Sequence, residues 1–371
     1  MTAYDFAIVG AGMAGASLAA ELADHASVLL VEAEDRPGYH ATGRSAAFWE
    51  ECYGGPEIVP LTLASGAYLR EHGFLHQRGA LYIGRDEDAP LLDDFVEEFS
   101  GTGATIERLD RQALVARAPG LRSQWKDAIW EPACSDIDVA GLHAHYLALG
   151  RERGVRLETR ARLIAAAQSG DSWALRSERG ETFVARMLVD AAGAWADQLA
   201  RLAGAQPMGI QPLRRTVVQL RTDPAPPADW PLVLDIGGGF YFKPEAGRLW
   251  LSPNDETPSA PCDAAPEELA VAQAIERLSQ VVDWRVEAVE HRWAGLRSFA
   301  PDRLPVYGFD PQVEGFAWFA GQGGYGIQTA PAAARLTAQV LLGNERDAMT
   351  AGLEAALYAP ERFTAPGRRP E

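Results

Sequence analysis

The sequence predicts a mixed α/β (α+β) chain in which helices wind around a parallel sheet and antiparallel sheet segments are inserted between its parts. Three observations predict it. A strand, glycine turn, helix, strand succession opens the chain, "YDFAIVGAGMAGASLAAELADHASVLLVEAE". Short strands follow one another between residues 156 and 190, with "SGD" and "ERG" as turns. A hairpin pattern, "GGGFYFKPEAGRLWLSP", lies far from both ends, with Pro-Glu-Ala-Gly as its turn and alternation placing Tyr241 on the face opposite Phe240 and Phe242.

The whole chain bounds what these elements can build. At 371 residues there is room for about two domains, and 47% hydrophobic with 23% charged residues is ordinary for a globular protein. A formal net charge of −17 argues against nucleic acid or an anionic membrane as the main partner, because both require a basic footprint. Cys52, Cys134 and Cys262 are isolated and odd in number, which predicts neither a disulfide framework nor a metal site and suits a reducing cytoplasm. The first residues enter an apolar strand with no basic leader, and no stretch approaches the ~20 apolar residues of a membrane span.

In chain order, residues 4 to 9 form a continuous apolar run, as in a parallel strand buried on both faces. Gly10, Ala11, Gly12, Ala14 and Gly15 follow as GxGxxG. Gly10 permits the tight turn, Gly12 lets the backbone approach a pyrophosphate, and Gly15 lets the helix pack on the sheet. The helix start offers free N–H groups and a partial positive charge to an anion. From Ala14 to Asp24 the residues favour helix, and a second strand, Val28 to Val31, ends at Glu32 and Ala33. Glu32 lies twenty residues after Gly12, where a carboxylate bonds ribose hydroxyls, and no basic residue stands beside it to receive a 2'-phosphate. Dinucleotide binding follows from the set.

The remainder separates FAD from NAD. A nicotinamide domain continues with alternating strands and helices, whereas here "RPGYHATGRSAA" comes next. The meander "RLIAAAQ", "SWALRSE", "GETFVAR" feeds a buried strand Met187 to Asp190, which ends in small residues that can touch a nucleotide. An apolar strand around Phe316 to Ala320 meets Gly321, Gly323, Gly324 and Gly326 and then a helix, with Pro331 in its first turn and Gly343 as its cap. A second glycine-rich loop before a helix suits the electron-rich edge of a reduced flavin.

Together "IVGAGMAGAS", "VEAE", "ATGRSAA", "DAAGAWAD", "WAGLRSF" and "GQGGYGIQT" resemble the D-amino acid oxidase family of FAD enzymes over nearly the whole chain, most of all its bacterial D-arginine dehydrogenases. The resemblance implies FAD as cofactor. It implies contacts from Thr42, Gly43, Arg44, Ser45, Ala46 and Ala47, from Leu163, Ala192, Gly193 and Trp195, and from Gly323, Gly324, Tyr325, Gly326, Ile327 and Gln328. It also implies a Rossmann-like FAD-binding domain of residues 1–50, 140–205 and 290–345, an antiparallel-sheet substrate cap of 51–139 and 206–289, and a tail, 346–371.

Arg214 and Arg297 match arginines that hold the substrate carboxylate in the family, a task suited to the guanidinium fork; Arg215 competes with Arg214 for the role. Tyr53 and Tyr241 match substrate-contacting tyrosines, with cap packing as their alternative use. The departures point to a changed pocket. Phe48 stands where the dehydrogenase has a histidine, and the glutamate that recognises its guanidinium substrate falls near Ala80. Phe48, Trp49 and Tyr53 follow the flavin turn as an aromatic lid, and Glu50 within it is a candidate for cation recognition, though a solvated loop acid is the simpler reading. His40, His143 and His145 are read as structural.

The expectation is oxidative deamination of a D-amino acid, with hydride passing from the α carbon to flavin N5 and the imino acid hydrolysing to a 2-oxo acid and ammonia. The specificity should differ from D-arginine. The partners are a small carboxylate substrate and an electron acceptor, quinone or oxygen. Oxidation of a secondary amine or a 2-hydroxy acid shares the carboxylate clamp, and a flavin-binding subunit that needs a partner chain is the alternative of another class.

Overall fold

The computed structural model describes residues 3–46 and 48–363. The cofactor contact expected of Ala47 and the end of the expected tail, 364–371, lie outside the described residues.

Apolar runs build an eight-stranded sheet with a parallel centre. Ala3–Val9 lies between Thr182–Asp190 and Val28–Val31, parallel to both, and Arg156–Glu158 extends the order beyond Val28–Val31. Val28–Val31 is buried throughout, as a strand covered on both faces must be. Thr182–Asp190 is a single strand rather than the two short ones expected. Its first half pairs antiparallel with Ser172–Ser177, and Leu188 to Asp190 pair in parallel with Phe316–Ala320. The shift from "TFVAR" to "MLVD" therefore marks an exchange of neighbours along one edge, not a turn.

Helix Met13–Leu22 packs against this sheet and against helices Val139–Glu152 and Ala330–Leu342. Its alanine-rich face is almost wholly buried, so neighbouring backbones come close. Gly15 is the limiting case: a Cβ there would collide with the carbonyl of Gly10. Ala330–Leu342 carries Pro331 in its first turn and ends on Gly343 in the left-handed conformation, φ 68°.

A second sheet of ten strands is mostly antiparallel. Its spine is the long pair Gln211–Asp223 and Arg285–Phe299. Arg248–Ser252, Tyr241–Glu245, Leu232–Asp235, Ala80–Gly84, Asp127–Glu131 and Glu107–Leu109 follow in that order on the other side of Gln211–Asp223. The hairpin turn is shorter than the expected Pro-Glu-Ala-Gly. Pro244 and Glu245 stay in the strand, Glu245 faces Arg248, and only Ala246 and Gly247 turn, both at positive φ as a two-residue hairpin requires. Helix Glu268–Ser279 covers this sheet through Val271, Ala274 and Leu278.

The expected division is crossed by packed structure in two places. Arg285–Phe299 runs unbroken through residue 290, and helix Val59–Glu71, assigned to the cap segment, packs on Ala330–Leu342. The sheets themselves meet where Gln322–Gly323, directly after Phe316–Ala320 and Gly321, pairs with Phe299 and Ser298.

Gly15→Ala should therefore cost about 1–3 kcal/mol or more, since two backbones rather than a flexible side chain have to move apart. Thermal unfolding of the variant against wild type measures it.

Candidate active site

A cavity of about 470 Å³ runs between the two sheets. At one end it is walled by the N-terminal glycine turn. Gly10 sits at φ 103°, and a Cβ there would strike the carbonyl of Ala191. The Ala11 N–H donates to Glu32 Oε2 (2.8 Å) and the Glu34 N–H to Glu32 Oε1 (2.9 Å), so the acid foreseen for a ribose also fastens the turn to the end of the second strand. Thr42 Oγ1 accepts from the Met13 N–H (2.9 Å), while the Ala14 N–H has no acceptor among the described residues. Such an orphan donor at a helix start, on the cavity wall, fits a diphosphate oxygen. His143 supports the turn from behind, with Nε2 2.9 Å from the Ala11 carbonyl, and burial holds its imidazole below the usual range.

Gly10, Gly12, Ala14, Glu32, Ala33, Thr42, Arg44, Ser45 and Ala46 line the cavity, with Leu163, Ala192, Gly193, Trp195, Gly323, Gly324, Gly326 and Ile327. Ala11, Gly15 and Gly43 are not on its wall and serve the turns themselves. Tyr325 and Gln328 are also off the wall. The Tyr325 ring packs edge-on to Tyr53 and Phe299, and its hydroxyl donates to the Arg303 carbonyl. Gln328 is buried, and its amide reaches the lid turn: Nε2 donates to the carbonyl of Glu50 (3.1 Å) and to Thr62 Oγ1 (2.8 Å), while Oε1 accepts from the Glu50 N–H (3.2 Å).

The far end carries two arginines, and one differs from expectation. Leu213 pairs with Arg297 and Arg215 with Gly295, so alternation puts Arg215 and Arg297 on one face and Arg214 on the other. Arg215 and Arg297 line the cavity; Arg214 turns away to Glu267. Arg215 donates through Nε to the Asp255 carbonyl (2.8 Å) and pairs with Glu256 (3.1 Å). Burial, and then Arg297, hold its guanidinium below its ordinary value. For Arg297 burial acts in the same direction, but Tyr53, Tyr241, Glu256 and Asp255 outweigh it and leave that guanidinium raised.

Arg297 Nη1 donates to the Tyr53 hydroxyl (2.7 Å). That hydroxyl occupies the space a Cβ on Gly324 would need, which ties the glycine to the lid. Tyr241 lines the cavity, and its ring packs edge-on to Phe48, centroids 6.3 Å apart. Around this pair lie Ala80, Cys134, Leu232 and Leu234. Behind Phe48 is a compensated ion cluster: Lys243 Nζ is 5.0 Å from the ring centre and 2.8 Å from both Asp136 and Glu245, and Arg78 also reaches Asp136 (2.6 Å).

Glu50 is not a solvated loop acid. It is 4% exposed, and burial, then Glu131, raise its carboxyl well above the ordinary value against the pull of Arg297. Glu131, fully buried, is raised to about 7, chiefly by burial. No local pattern marks this pair, whose members stand 81 residues apart in the chain. Among the described residues no group of His, Cys, Asp and Glu is arranged to hold a metal, and no helix is long and apolar enough to cross a membrane.

Comparison with known proteins agrees with this geometry. A family model described as DAO, FAD dependent oxidoreductase, matches residues 5–340. The chain is 25% identical over 358 residues to glycine oxidase of Geobacillus kaustophilus, covering 91% of this chain and 93% of that one. It is 23% identical over 381 residues to hydrogen cyanide synthase subunit HcnC of Pseudomonas aeruginosa, covering 88% and 89%. The crystal structure of L-proline dehydrogenase from P. horikoshii has the same fold, with a TM-score of 0.85 at 20% identity and 98% of each chain covered.

The buried carboxyls set the pH dependence of stability. Glu50, Glu51, Glu131, Asp190 and Asp197 all hold protons in the fold that the unfolded chain releases near pH 4.5 or below. Stability should fall as pH rises from about 4.5 through about 7, by a contribution on the order of 3 kcal/mol from Glu131 alone. Calorimetric melting across that range checks it. Asp190→Asn, which keeps a neutral acceptor for the Ala192 N–H, should reduce the slope.

Proposed function

The chain belongs to the DAO family of FAD dependent oxidoreductases, matched over residues 5–340, and on that premise we propose that it oxidises D-amino acids with uncharged, apolar side chains. The observation that carries the reading is the pair Arg215 and Arg297 at one end of the cavity, with Tyr53 and Tyr241 beside them and the apolar group of Phe48, Leu232 and Leu234 adjoining. The preference for the D configuration rests on the motif resemblance alone.

The glycine turn, Thr42 and Glu32 fit the diphosphate and ribose of FAD, which when bound supplies the two-electron acceptor. The protein's own part is orientation. A substrate carboxylate received by Arg297 and Arg215 fixes the α carbon, and a fixed α carbon makes the reaction effectively unimolecular. Tyr53 and Tyr241 add hydroxyl donors at the same end. The amine reacts in its neutral form, its extra proton leaving to water; the α C–H bond breaks, and the imino acid takes up water to give a 2-oxo acid and ammonia. The acceptor that regenerates the cofactor is oxygen or a quinone. A cytoplasmic location accords with three unpaired cysteines.

A second reading is favoured by HcnC, whose name makes it a subunit: this chain would then require a partner. The fold shared with L-proline dehydrogenase keeps secondary amines in view as donors.

Anaerobic mixing with D- and L-amino acids, secondary amines and 2-hydroxy acids, followed by flavin absorbance, tests the choice. Bleaching by D-leucine or D-phenylalanine and not by D-arginine is expected. Bleaching by D-arginine would overturn the apolar pocket, and bleaching by L-amino acids, secondary amines or hydroxy acids only would overturn the D-amino acid. No bleaching by any donor would favour the missing partner.

Arginine variants test the clamp separately. Arg297→Ala and Arg215→Ala should each lower kcat/KM about 100-fold, mostly through KM, as the loss of a charge-assisted pair implies. Arg214→Ala should stay within a few-fold of wild type in steady-state assays, because its side chain is turned to Glu267.

A further inference from the structure

We propose that Glu131 is a positioning residue of the active site: its carboxylate holds the lid turn so that the Tyr53 hydroxyl meets Arg297. This rests on the reading of Arg297 as the carboxylate holder. Glu131 ends strand Asp127–Glu131, directly across from Ala80, whose small side chain leaves room beside it. From there Oε1 accepts from the Glu51 N–H (2.6 Å) and Oε2 sits 3.4 Å from the Cys52 N–H. The next residue along is Tyr53, bonded to Arg297 at 2.7 Å. On the opposite side Gln328 binds the Glu50 backbone in both directions and lies 3.4 Å from the Tyr53 carbonyl. The turn is thus held between a residue of each sheet's side of the cavity, and only the grip from Glu131 bears a charge.

That charge makes the grip titratable. Glu50, Glu51 and Cys52 face Glu131 from the turn and Cys134 from the adjoining loop; Arg297 acts on Glu50 and Arg70 on Glu51. Above pH about 7 the carboxylate accepts with both oxygens, and below it one oxygen becomes a hydroxyl and the hold on the turn weakens. Carboxylate binding should weaken with it.

The probe is 3-methylbutanoate, an unreactive carboxylate without an amine, its Kd read from the shift in flavin absorbance of the purified holoenzyme between pH 6 and 8.5. In wild type Kd should rise several-fold towards pH 6. Glu131→Gln should raise Kd at pH 8.5 about tenfold, abolish the pH dependence, and raise KM more than it lowers kcat. In a Tyr53→Phe background Glu131→Gln should have little further effect, since the two act through one contact. Glu131→Asp, which retains the charge, should recover part of the pH dependence, and it serves if the glutamine variant fails to bind flavin. Unaltered Kd and pH profile in Glu131→Gln, with Arg297→Ala weakening the probe, would overturn this inference alone. An equal effect of Glu131→Gln with and without Tyr53 would also overturn it. No effect of Arg297→Ala on the probe would overturn the carboxylate reading on which it stands.

Discussion

The site depends on one short junction. Gln322 and Gly323 leave the strand Phe316–Ala320 of the first sheet after a single residue, Gly321, and pair at once with Phe299 and Ser298 of the second. No slack separates the two sheets there. The glycine loop that walls the cavity and the strand that carries Arg297 are held together by backbone hydrogen bonds. Tyr53 enters between them because Gly324 has no Cβ to exclude its hydroxyl. The separation between the nucleotide end and the arginine end is therefore set by this junction, not by either sheet alone.

This explains what could be read from the sequence. The GxGxxG turn, Glu32, the Pro331 and Gly343 ends of the late helix and the face of Tyr241 are constraints within some thirty residues, and short-range geometry leaves a residue pattern. The choice between Arg214 and Arg215 is not of that kind. It needs the pairing of Leu213 with Arg297, a register between strands more than sixty positions apart, and a shift of one position exchanges the two faces. Gln328 is expected at the cofactor from the motif resemblance alone, and its amide completes the hydrogen bonding of a turn 278 residues earlier. For Glu50 a place in the lid suggests a solvated loop acid as the simpler reading, and nothing local contradicts it. Gln328 on one side and Glu131 on the other draw that lid into the interior.

The electrostatics of the interior follow from pairing rather than from the overall charge of −17. Buried Arg215 reaches the exposed Glu256, which also reaches Arg303, and buried Lys243 reaches the partly exposed Asp136 and Glu245. Buried charges of this kind survive because each is matched. Glu50 has no ion pair among the described residues and lies beside a second buried acid. The raised carboxyls of Glu50 and Glu131 are the physical answer: two acids buried side by side give up their protons only at higher pH than solvated ones do.

Selectivity in the proposed reading comes from the same accounting of charge. The ring of Phe48 is already engaged by the Lys243 ammonium, 5.0 Å from its centre, and packs on Tyr241. A cationic side chain placed against that ring would compete with Lys243 for the same π density. Asp136 and Glu245 offer no relief, because both are bound to Lys243 and Asp136 also to Arg78. Leu232 and Leu234, packed with Phe48 and Tyr241 behind the cavity wall, present no charge that an apolar side chain would have to desolvate. In the proposed reading, the loss of a carboxylate near Ala80 removes a partner for a guanidinium, and Lys243 already holds the ring face that a cation would use.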